Sequence, residues 1–137
     1  MGIKRSSREA AIKILYTLEF AEKDIAGVAG EYWLNRKVTS KFKEYAMNLV
    51  LGVCERKNEI DEIINNASAH WNVDRMPEVD RNILRLAVYE LIGCNEIPTA
   101  VVINEAVELA KRYSGKESAS FVNGVLGKIQ EQVKEEK

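Results

Sequence analysis

The stretch Glu78-Val-Asp-Arg-Asn-Ile-Leu-Arg-Leu-Ala-Val-Tyr-Glu-Leu-Ile-Gly93 decides the fold. Its apolar residues, Val79, Ile83, Leu84, Leu86, Ala87, Val88, Leu91 and Ile92, recur at helical spacing and cover most sides of one helix. A helix apolar most of the way round belongs at the centre of a fold. Pro77 in front of it fits a helix's first turn, where a missing N–H costs nothing.

Towards the C-terminus, Pro98 precedes a sixth helix with Val102, Ile103, Ala106, Val107 and Ala110 inward, and Gly115 ends it. A last helix starts near Ser118 and packs Phe121, Val122, Val125, Leu126, Ile129 and Val133, and its polar tail from Gln130 to Lys137 is expected to fray. In the other direction, His70 to Pro77 reads as a loop. Before it come a fourth helix holding Ile60, Ile63, Ile64 and Ala67, and a third running from Thr39 or Ser40 through Phe42, Ala46, Leu49, Val50 and Val53. The polar stretch Glu55 to Glu59 either continues the third helix or turns into the fourth. Gly27 and Gly30 are expected to bracket a break before a short helix at Glu31 to Asn35. The first helix is expected to open at Ser6 or Ser7, since Ser6 and Glu9 have the spacing of a capping box. Ala11, Ile14, Leu15, Leu18 and Ala21 then form its stripe. With two prolines and no clean period-two alternation, the pattern predicts an all-α chain of about seven helices, one domain spanning residues 1–137.

Composition narrows the function. Of 137 residues, 46% are hydrophobic, enough to bury a core without staples. Twenty basic residues oppose twenty-one acidic ones, so bulk charge points to no polyanionic partner and any nucleic-acid site must be local. Cys54 and Cys94 sit singly in apolar runs and read as reduced core thiols of a cytoplasmic protein. No apolar run approaches the ~20 residues that cross a bilayer, and nothing behind the first residues resembles a signal peptide. The single histidine, His70, stands in a polar loop beside Trp71, and Gly124 and Gly127 lie in a helical pattern rather than a phosphate loop. Acids such as Glu108 have basic neighbours at helical spacing and read as solvated pairs. No catalytic or metal-binding constellation emerges, so the expectation is a binding protein without a cofactor.

Three features point to binding. Lys4, Arg5 and Arg8 cluster with the α-amino group at the start of the first helix, where the helix's partial positive charge disfavours cations. A local preference overruled in this way marks either a phosphate site or an ordinary basic leader. Tyr16 points nearly opposite the first helix's apolar stripe, on the side of Arg5 and Arg8, as a partner contact or an incidental surface aromatic. Phe121 sits at the edge of the last stripe, as core or as a ring face available to an unpaired base.

Four blocks carry a resemblance. Ile103-Asn-Glu-Ala-Val-Glu-Leu-Ala-Lys111, Phe121-Val-Asn-Gly-Val-Leu126, the Asp80–Leu91 run and Arg8-Glu-Ala-Ala-Ile-Lys-Ile-Leu-Tyr16 stand in order along nearly the whole chain, and together the chain resembles the NusB family. The resemblance implies two packed three-helix bundles. It implies a transcription antitermination factor that binds boxA-type single-stranded RNA as a heterodimer with the ribosomal protein NusE. Other Nus factors and RNA polymerase would be reached through that pair, and a homodimer is also known in the family. Residue by residue, it places Lys4, Arg5, Arg8, Glu117, Ser118 and Phe121 on the RNA surface and Tyr16, Asp74 and Asp80 on the NusE surface. The N-terminal arginine cluster is thinner than in some relatives, and Ser120 brings no charge where a basic residue can occur. From spacing alone, Asp80 is a first-turn acid favoured by the helix dipole. Two rival classes are a protein–protein scaffold and a regulatory domain acting in trans on a methyltransferase; specific RNA binding separates both from the family reading.

Overall fold

A computed structural model gives, among the described residues, seven α-helices in order: α1 (Gly2–Phe20), α2 (Ile25–Trp33), α3 (Ser40–Glu55), α4 (Lys57–Ala67), α5 (Glu78–Gly93), α6 (Thr99–Tyr113) and α7 (Lys116–Glu136). A single 3-10 turn, Val73–Arg75, lies between α4 and α5. The structure describes residues 2–94 and 96–136, with side chains over 4–94 and 96–132, and contains no strand among them. The α-amino group and the side chain of Val133 lie outside the described residues. The chain divides into two compact units, Met1–Gly52 and Val53–Lys137.

The first unit holds α1, α2 and α3 as far as Gly52. Ala11, Ile14 and Leu15 of α1, Val28, Ala29 and Trp33 of α2, and Ala46, Leu49 and Val50 of α3 are all buried. The Trp33 ring meets Phe42 edge-on at 6.0 Å, and its indole N–H points at Met47 Sδ, 3.3 Å away. Two expected boundaries move. α1 starts at Gly2, so Ser6 lies inside the helix and the capping box does not form. A cap residue must leave helical geometry, and here the backbone stays helical on both sides of Ser6. α2 starts at Ile25, capped by Asp24, whose carboxylate accepts from Gly27 N–H at 2.9 Å. Gly27 and Gly30 therefore sit within α2 rather than breaking the chain. Each costs up to about 1 kcal/mol against alanine, which burying Val28, Ala29 and Trp33 outweighs.

In the second unit α5, α6 and α7 pack on one another, and α4 lies against α5 and α7. Ile60, Ile64, Ile83, Leu84, Val88, Val102, Val122, Leu126 and Ile129 fill its core. α5 occupies the bounds expected for it, with Pro77 as its N-cap. It is less apolar than expected: Asp80, Asn82, Arg85 and Glu90 are buried along with its aliphatic residues. At the head of α4, Arg56 grips Glu59 through two bonds of 2.9 and 3.1 Å, and these hold the Glu59 carboxyl below its usual range.

Between α6 and α7 the chain turns on one residue. Gly115 has φ +106°, its N–H meets the carbonyls of Ala110 and Lys111, and its own carbonyl accepts from Ala119 N–H at 3.1 Å. That glycine ends α6 and starts α7 at Lys116, two residues before the expected Ser118. A Cβ built there meets nothing within 4 Å, so backbone strain alone sets the cost of adding one. Gly115→Ala should therefore destabilise by about 1–3 kcal/mol, read as a lowered urea midpoint with an unchanged slope. A midpoint equal to wild type would show that the turn relaxes freely.

Candidate nucleic-acid interface

Lys4 and Arg5 lie in the first turns of α1 and are exposed, and the first turn of the helix carries no acidic residue. Cations at this end oppose the helix dipole, so their placement runs against local stability. Arg8 differs from the expectation: it is 3% exposed, and so does not present its guanidinium to solvent beside Arg5. Seven residues turn a helix by about 700°, which sets Arg8 within roughly 20° of buried Leu15, on the core face. Tyr16 is 39% exposed, as its azimuth implies. One turn further on stands Phe20, 59% exposed, with its ring centroid 5.0 Å from that of Tyr16. Sequence reading missed Phe20, although its i+4 spacing from Tyr16 was the available signal.

The other site residues lie in the second unit. Glu117 is exposed in the first turn of α7, where the dipole favours a carboxylate. Ser118 is half-buried and donates its hydroxyl to Asp80 Oδ2 at 3.0 Å. Phe121 is partly buried and lines a groove that Trp71 also lines. Asp74 is exposed on the 3-10 turn; its N–H donates to Asn72 Oδ1 at 3.0 Å and its carbonyl accepts from Arg81 at 3.2 Å. Asp80, expected on a partner surface, is 3% exposed, and its Oδ1 is buried without a hydrogen-bond partner. Ser118 and Asp80, assigned by resemblance to different surfaces, are thus bonded to each other, and their interaction ties the head of α5 to the head of α7.

Chemistry beyond binding finds few groups in place. Among the described residues no group of three or more His, Cys, Asp or Glu side chains is arranged to hold a metal ion. Both cysteines are free and half-buried, and burial pushes the Cys54 thiol up, away from the nucleophilic thiolate. No described helix is long and apolar enough to cross a membrane.

Comparison with known proteins gives one consistent answer. The family model for the NusB family matches residues 5–131. The transcription antitermination protein NusB of Sorangium cellulosum is 43% identical over 131 residues, covering 96% of this chain and 94% of that protein. The protein of the same name from Acetivibrio thermocellus is 45% identical over 130 residues, covering 92% and 87%. Among solved structures, NusB of T. maritima matches with TM-score 0.85 and 39% identity over 92% of this chain and 89% of its own. A chain in the crystal structure of antitermination factors NusB and NusE in complex with double-stranded RNA matches with TM-score 0.85 and 31% identity, covering 96% and 98%. With the four sequence blocks, the helix order and these relatives in agreement, the chain belongs to the NusB family.

Proposed function

We propose that this protein is a transcription antitermination factor that binds boxA-type single-stranded RNA together with NusE. The observation that carries the reading is the structural match, at 31% identity, to a chain in the complex of NusB and NusE with double-stranded RNA, which supports RNA and NusE as partners; the single-stranded boxA form of the RNA rests on the family resemblance. The protein acts by binding rather than catalysis.

Lys4 and Arg5 at the head of α1 serve as phosphate contacts, and Glu117, Ser118 and Phe121 at the head of α7 serve as RNA contacts of the second unit. Arg8 supports the first helix from its buried position rather than meeting phosphate directly. Tyr16, with Phe20 beside it, and Asp74 serve as the NusE contacts. Paired aromatics supply apolar area and a hydroxyl, and a carboxylate on a pinned turn suits a basic protein. Asp80 holds Ser118 and the head of α7 in place through its hydrogen bond.

The test is a titration of single-stranded boxA RNA and a scrambled strand, with and without NusE, at several salt concentrations. Two or three exposed cations on phosphate, at ~0.7 per phosphate for single strands, give a log–log salt slope of about −1.5 to −2. Arg5→Glu should weaken both strands alike and flatten that slope, because phosphate contacts carry no sequence. Preference for boxA should survive moderate salt and strengthen with NusE. Equal binding of boxA and scrambled strands at every salt would make the protein a generic RNA binder. No RNA binding even with NusE present would leave a protein–protein scaffold.

A further inference from the structure

Trp71 is a large hydrophobe held in water: it is 53% exposed, on a segment that is firmly anchored. Its N–H donates to Ser68 O at 3.4 Å, and two residues on, Val73 N–H donates to Asn65 Oδ1 at 2.8 Å. Val73 and Met76 are buried just beyond, so the backbone beneath the indole is fixed from both sides. Its exposure is thus a built feature of the turn after α4.

Trp71 and Phe121 of α7 both line a groove of about 320 Å³. The volume lies at the lower end of the range for small-ligand sites and is far too small for a docked helix. Gly124 lines the same groove, and a Cβ built there meets nothing within 4 Å, so α7 leaves open space at that point. One turn further on, Lys128 lines the same groove and is exposed. Phe121, Gly124 and Lys128 follow one another at i, i+3 and i+7, within about 60° of helix azimuth. A second, polar cleft shares Trp71 and is lined also by Asn65, Asn72, Asp74 and Arg75. Two aromatic rings lining one groove suit a flat π system, and cations at the groove and in the adjoining cleft complement an anion attached to it. A nucleotide has both parts; an apolar peptide side chain has neither charge nor flatness.

We propose that the groove between Trp71 and Phe121 is a nucleobase subsite, in which one unpaired base of single-stranded RNA stacks against Trp71 while Lys128 meets its phosphate. This rests on the RNA-binding reading above and extends it to residues that the NusB resemblance did not assign. It predicts that the strand runs along α7 from Glu117 towards Lys128, past the indole.

The experiment follows tryptophan fluorescence while the folded protein is titrated with single-stranded boxA RNA. Trp33 is buried and Trp71 exposed, so the signal sensitive to RNA comes from Trp71. Wild type should be quenched on binding. Trp71→Ala should lose the quenching and about tenfold or more in affinity, and Trp71→Phe should recover most of that affinity by restoring a stacking face. Lys128→Gln should lower affinity several-fold and reduce the salt slope by ~0.7. Circular dichroism of each variant should match wild type, since both side chains lie at the surface. Unchanged affinity in Trp71→Ala, with Arg5→Glu weakened, would overturn the subsite and leave the RNA-binding reading standing. Absence of RNA binding by wild type, with or without NusE, would overturn both. Equal quenching by a fully paired duplex, or loss of NusE affinity rather than RNA affinity in Trp71→Ala, would also overturn it, because an unpaired base would not be the occupant.

Discussion

Arg85→Ala is expected to cost about 3–5 kcal/mol and lower the melting temperature by on the order of 10–20 °C. Arg85 lies on α5 with its side chain 6% exposed, and its Nε and a terminal nitrogen meet the two carboxylate oxygens of Asp61 at 2.8 and 3.1 Å. Its other terminal nitrogen donates to Asn82 Oδ1 at 3.3 Å, and Asn82 in turn donates to Glu78 O at 2.8 Å. The forked geometry joins α4 to α5 at a fixed angle. Truncating the arginine strands a carboxylate whose side chain is only 18% exposed. Asp61→Ala strands the more deeply buried cation instead, and should be at least as damaging. The double substitution should cost clearly less than the sum of the singles, since it leaves no unpaired charge. Replacing the pair by Asp61→Leu with Arg85→Met should approach wild-type stability, because a buried ion pair gains little net over apolar packing. Urea denaturation of the four variants decides it. A single substitution costing under about 1 kcal/mol would mean that water reaches the pair freely.

Helix boundaries were legible where the chain carries punctuation that acts through the backbone. Pro77 and Pro98 cannot continue a helix from the preceding residue, and both stand at N-caps. The signals that misled were those a side chain only offers. Ser6 can cap, but the helix propensity of Lys4 and Arg5 and the helix running through them leave it nothing to cap. Gly27 and Gly30 weaken a helix without forbidding one, and the apolar face of α2 prevailed. In the candidate site, Tyr16 was found because azimuth predicts exposure. Arg8 was misplaced because its charge was weighed above its position, seven residues before Leu15. Trp71 is not legible from sequence because an aromatic in a loop gives no periodicity from which exposure can be read; the anchored turn and the groove shared with α7 reveal it. Arg85 and Asp61 were hidden for a related reason: their partnership joins two helices 24 residues apart in sequence, beyond the reach of any i,i+4 rule.

Asp80→Lys is expected to destroy the fold of the second unit, and with it every binding function that depends on α7. The site is 3% exposed, and Asp80 Oδ2 accepts the hydrogen bond of the Ser118 hydroxyl. A lysine reverses the charge at the positive end of α5, buries an ammonium without a counter-ion and removes that acceptor, so a loss above about 4 kcal/mol is expected. The informative variants are milder. Asp80→Asn keeps an oxygen for Ser118 and removes a carboxylate whose Oδ1 has no partner, so stability should stay within about 1 kcal/mol of wild type. Asp80→Ala removes the acceptor as well and should cost about 1–3 kcal/mol. NusE affinity, measured by calorimetry beside each melt, should follow stability across this series. In contrast, Tyr16→Ala should lower NusE affinity by more than it lowers the melting temperature, because Tyr16 is exposed and Asp80 is not. Should Asp80→Asn melt like wild type yet lose NusE, the carboxylate would itself reach the partner, and the head of α5 would have to open on binding. Should it keep NusE while Asp80→Ala loses stability, Asp80 acts on the interface only by holding Ser118 and the start of α7 in place.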